Sequence, residues 1–68
     1  MKLPTNIFNA EQLKLIKNSG IIIDYKKDYS DDEILALEEK FENLVMDNQF
    51  NDVSFYEHLL DTFQDATK

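Results

Sequence analysis

The chain has no cysteine and no arginine, and it uses glycine and proline once each, at Gly20 and Pro4. Without cysteine neither a disulfide nor a thiolate zinc site can be built, so 68 residues must hold together by packing or by self-association. A chain of this size buries only about 60% of the surface its unfolded form exposes, so its stability is expected to be marginal. No apolar run approaches the length of a transmembrane helix, and the opening residues, Met1 to Asn6, lack the apolar stretch of a signal peptide. A cytoplasmic protein is the expectation. Positive charge is scarce as well. Seven lysines stand against fourteen acidic residues, for a formal charge of −7. Such a surface repels phosphate backbones and anionic lipid headgroups, which argues against direct nucleic-acid or membrane binding and towards a basic protein partner.

What is present suffices for a core. Hydrophobic residues make up 43% of the chain, with five Phe and three Tyr, more than a disordered chain carries even at 31% charged residues. One stretch, residues 30–46, organises the rest. Ser30 and Glu33 have the spacing of a capping box, in which the serine oxygen accepts from the Glu33 amide while the Glu33 carboxylate accepts from the Ser30 amide. Tyr29 and Ile34 are placed as a hydrophobic staple, and Asp31 and Asp32 put negative charge at the positive end of the helix dipole. Ile34, Leu37, Phe41 and Leu44 then recur at spacings of three and four, so they form one apolar stripe, with Val45 beside it.

An earlier helix is expected from Asn9, a good N-cap with Gln12 at the box-closing position and Phe8 and Leu13 as a second staple. It should carry Leu13, Leu15 and Ile16 inward and stop at Gly20, with Ile21 packing on Ile16 in a Schellman arrangement. Residues 21–25 alone have strand character, through three consecutive isoleucines, but no second strand exists to pair with them. They read as an extended linker with Ile21, Ile23 and Tyr25 facing one way and Ile22 and Asp24 the other. The alternative is pairing with another copy or another protein. The central helix should end within residues 47–52, with Phe50 beneath the turn. Ser54 and Glu57 repeat the capping-box spacing and open a third helix, whose stripe is Phe55, Leu59 and Phe63. Residues 64–68 should fray. The expected fold is therefore all-α: a compact three-helix bundle with helices near 10–19, 31–47 and 55–66, a single domain over residues 1–68. Its core should be Leu13, Ile16, Ile23, Ile34, Leu37, Phe41, Leu44, Phe55, Leu59 and Phe63.

Candidate sites are few. Asp24, Asp28, Asp31, Asp32 and Glu33 crowd the start of the central helix, but an EF-hand begun at Asp24 would place Lys26 at its third position, Tyr29 where glycine is needed and Leu35 where a glutamate should close it. Capping already accounts for three of these carboxylates. His58, the one histidine, has Asp61 a turn away, yet no cysteine exists and no serine is placed as a nucleophile. Glu38 and Glu42 lie one turn apart on an exposed face, where nothing separates their pKa values for acid–base work. No catalytic, cofactor-binding or metal-binding residue is expected, and the chain is not expected to be an enzyme.

The acidic face of the central helix is more informative. Asp31, Glu38, Glu39 and Glu42 share neighbouring rows, Glu38 and Glu42 repel at the i,i+4 spacing, and Lys40 has no acidic residue three or four positions away. A solubilising face, a docking surface for a basic partner and a mimic of nucleic-acid phosphates are the readings, in that order. Tyr25, Tyr29, Tyr56, Ile22, Leu35 and Met46 could together form an apolar contact patch. Two functions follow. One is a small acidic, non-enzymatic adaptor or inhibitor that meets its partner through Asp31, Glu38, Glu39 and Glu42. The other is a structural homodimer paired through Ile22.

Overall fold

The computed structural model describes residues 1–51 and 53–67. Three helices, α1 (Ala10–Asn18), α2 (Asp31–Asp47) and α3 (Val53–Thr67), form an all-α bundle, with no strand among the described residues. Two of the three anticipated capping boxes close. The Gln12 amide donates to Asn9 Oδ1 at 2.8 Å and the Asn9 amide to Gln12 Oε1 at 3.0 Å. At α2 the Glu33 amide donates to Ser30 Oγ and the Ser30 amide to Glu33 Oε1, both at 3.2 Å.

α1 stops as its glycine predicts. Gly20 adopts φ +77°, the Ile21 amide donates to the Ile16 carbonyl and the Gly20 amide to the Lys17 carbonyl, each at 3.2 Å, which completes the Schellman motif. Ile16 and Ile21 are both buried. α2 ends on Asn48, whose side-chain amide donates to the Leu44 carbonyl at 2.8 Å in place of the missing glycine.

α2 and α3 pack side by side. Phe41 lies against Phe63, with ring centroids 4.9 Å apart, and Gln64 reaches Glu38, so the two run antiparallel. Phe41, Leu59 and Phe63 are sealed from solvent, at the centre of a buried cluster with Ile16, Ile34 and Leu37. The lead-in before α1 supplies the remaining cover. Leu3 and Phe8 are buried, and the Phe8 ring stands 5.9 Å from that of Phe41. Nothing in the periodicity of residues 1–9 marks them as core, because helical spacing carries no information about a segment with no regular structure.

Several expected core positions are corrected. Leu13 is exposed, because α1 turns Gln12 and Ile16 inward instead. The Gln12 amide escapes a burial penalty by closing the cap and by donating through Nε2 to Thr62 Oγ1 of α3 at 3.0 Å. The Phe8–Leu13 staple therefore has only one buried member. Phe55 is exposed although it points with Leu59 and Phe63; it sits in the first turn of α3, at the end of the bundle, and period fixes direction around a helix but not depth along it. Ser54 is the second residue of α3, so its capping box does not form; the residue before the helix, Asp52, lies outside the described ones. Phe50 is 98% exposed instead of tucked under the turn. Ile23 and Leu44 are half-buried. α3 holds its helical form to Thr67, whose hydroxyl donates to the Phe63 carbonyl at 2.9 Å, so fraying does not begin at residue 64; Lys68 lies outside the described residues.

Candidate partner-binding face

At ~100° per residue, the inward side of α2 takes Ile34, Leu37 and Phe41, and its outward side takes Asp31, Glu38, Glu42, Leu35, Met46 and Glu39 within an arc of about 100°. The structure thus gathers the four suspected carboxylates on one surface. None of them makes an ion pair among the described residues, where the two ion pairs are Met1–Asp28 and Lys27–Glu33. Leu35, 61% exposed, lies among the acidic residues, and Met46, 62% exposed, lies one turn beyond Glu42.

Two shallow grooves flank this surface. One, of about 370 Å³, opens between α2 and the end of α3, with Met1, Ile34 and Leu35 as apolar lining and Asp31, Glu38, Gln64 and Thr67 around them. The other, of about 270 Å³, is bounded by Leu35, Glu38, Glu39 and Glu42. Leu35 and Glu38 form the ridge between them. Glu38 is half-buried, and its Oε1 accepts from Gln64 Nε2 at 2.8 Å, which ties this one carboxylate to α3. The partnership with Gln64 is invisible to a reading of α2 alone, because the pairing register of two helices is not written in either one.

Ile22 is brought elsewhere. It is 86% exposed and lines a groove with Lys27, Ala36 and Lys40, on the opposite flank of α2 from Leu35. The single apolar patch expected from Ile22, Leu35 and Met46 is therefore two separate surfaces. Ile21 is buried, Ile23 and Tyr25 are half-buried and Asp24 is exposed, which is the alternation an extended segment requires. Tyr29 is a core residue and not an interface anchor. Its side chain is buried, its hydroxyl accepts from the Asp24 amide at 2.9 Å, and its backbone exchanges two hydrogen bonds with Met1.

Within the acidic cluster at the start of α2, Asp28 and Glu33 are committed to structure. The N-terminal ammonium donates to Asp28 and holds its carboxyl below the usual range. Glu33 is likewise lowered, first by the Lys27 ammonium and then by the Ser30 amide, and Lys27 is raised in return by Glu33. Among the described residues no group of three His, Asp or Glu is arranged to hold a metal ion. His58 is exposed, and its carbonyl accepts from the Thr62 hydroxyl in the ordinary way of a helix. No described helix is long and apolar enough to cross a membrane. Compared with known protein families, characterised proteins and solved structures, the chain matches none.

Proposed function

We propose that the chain is a small non-enzymatic interaction module, an adaptor or inhibitor in the cytoplasm, that captures a basic protein on the outward face of α2 through Asp31, Glu38, Glu39 and Glu42. The observation that carries this reading is that these carboxylates lie around exposed Leu35 with no lysine among the described residues paired to any of them. A solubilising surface has no need of an apolar centre. Mutual repulsion on one helix face is relieved when a cationic surface arrives, and complementary charge accelerates encounter and selects partners. The triple reversal Glu38→Lys, Glu39→Lys and Glu42→Lys is expected to weaken capture of the native partner from cell extract by roughly ten- to a hundredfold at low salt and by less at high salt. The melting temperature should fall only slightly, through loss of the Gln64–Glu38 hydrogen bond. Undiminished capture by the triple variant rejects the reading.

A second reading has its own observation. Ile22 is 86% exposed on an extended segment, and neither its amide nor that of Ile23 finds a backbone partner among the described residues. Self-pairing through this segment would cover both. Sedimentation that reports a monomer at high micromolar concentration rejects it, and Ile22→Lys should abolish any dimer that is found.

A further inference from the structure

We propose that the occupant of the acidic face is a basic amphipathic helix, lying along α2 with its apolar stripe over Leu35 and Met46 and its lysines or arginines against Glu38 and the neighbouring carboxylates. This rests on the reading of the face as a docking surface and names the kind of partner it takes.

Geometry selects a helix. Leu35 and Met46 are three turns apart, about 16 Å along the axis, and lie within about 20° of each other around it. Two apolar points so placed match the i, i+3/i+4 and i+11 positions of a second helix packed alongside. Strand addition is ruled out at this surface, because the backbone groups of α2 are used within the helix and only side chains are offered. The 370 Å³ groove beside Leu35, floored by Ile34, has room for a large aliphatic side chain inserted between α2 and α3.

Charge selects a basic one. Asp31 and Glu38 rim the same groove that Ile34 and Leu35 line, and Glu39 and Glu42 stand on the far side of the Leu35 ridge. An apolar side chain flanked by cations satisfies both. A purely cationic chain would leave Leu35 and Met46 in water, and a purely apolar one would bury carboxylates without partners, which is costly. Gln64 holds Glu38 in place at 2.8 Å, so the carboxylate at the α3 edge of the surface has less freedom to lose when a partner docks.

The test uses the full chain and three synthetic peptides of about 18 residues, or five turns. One has leucine on one helical face and lysine elsewhere, one has the same lysines with serine for leucine, and one has the leucines with glutamate for lysine. Fluorescence anisotropy should report binding of the leucine–lysine peptide roughly tenfold tighter than the serine–lysine peptide, and none of the glutamate peptide. Circular dichroism should report a gain of helix in the bound peptide. Leu35→Ser, at an exposed position, should remove most of that tenfold advantage while leaving the serine–lysine peptide unaffected, and Met46→Ser should act in the same direction. Equal affinity for the two lysine peptides, no helix gain, or indifference to both substitutions overturns the helix while the charge-based reading stands. Failure of the wild-type chain to bind either lysine peptide overturns both.

Discussion

The two connections of this bundle are built on opposite principles. The first, residues 19–30, is long and anchored along its length: a Schellman turn at Gly20, Ile21 in the core, the Asp24 amide on the Tyr29 hydroxyl, Tyr29 itself buried, and a capping box at Ser30. The second, residues 48–52, is short. Its described hydrogen bonds are local, between residues two to four apart, and its one large apolar side chain, Phe50, stands in water. The contrast teaches that a loop is ordered by what it can bury. The first connection crosses the side of the core and meets Met1 and the start of α2. The second only reverses the chain at the end of the α2–α3 pair, where Asn48 and Asn51 face Glu11 and Leu15 of α1 across an open groove.

Tyr29→Ala is expected to cost the most, on the order of 3 kcal/mol, because it empties a buried aromatic site and removes the acceptor of the Asp24 amide. A loss below about 1 kcal/mol in urea unfolding would mean that the first connection is no better anchored than the second. Gly20→Ala comes next, at about 1–2 kcal/mol. No atom lies within 4 Å of an added Cβ, so the cost is the left-handed backbone alone. Asparagine at the same position, which tolerates that backbone, should recover part of it.

The pH dependence sharpens the same contrast. The Lys27–Glu33 pair ties the end of the first connection to the first turn of α2. Glu33 is lowered in the folded state, so its contribution is fully present above its unfolded value of about 4.3 and is lost as pH falls through the folded value. Lys27 is raised, so its contribution is present below about 10.4 and is lost as pH rises through the folded value. Glu33→Gln should therefore flatten the stability profile at both extremes. Lys27 is exposed and Glu33 half-buried, so solvent screens the pair and the change is small; an unaltered profile measured by urea titration across pH would show that the pair contributes nothing. The smallest effect belongs to the second connection. Phe50→Ser should leave stability within about 0.5 kcal/mol, and a larger loss would reveal a contact that equalises the two connections.

Local signals were legible where the chemistry is local. The boxes at Asn9 and Ser30 and the stop at Gly20 involve partners three to five residues apart, and all appear as read. The same reasoning misled at Ser54, where the spacing is present but the helix has already begun at Val53. For the candidate face, the membership of Asp31, Glu38, Glu39 and Glu42 follows from counting along one helix. The separation of Ile22 from that face does not, since it depends on which flank of α2 the extended segment crosses.

By itself, then, the sequence determined where α1 and α2 start, where α1 stops, which side of α2 is apolar and which is acidic, because hydrogen-bond reach and helical period act over a few residues. Only the tertiary structure decided that Leu3, Phe8, Gln12 and Tyr29 belong to the interior while Leu13, Phe50 and Phe55 do not. Burial is a property of what lies opposite a side chain, and that is set by how three helices and an irregular lead-in meet. It likewise decided that Glu38 is steadied by Gln64 from 26 positions away, beside a groove that neither helix has alone.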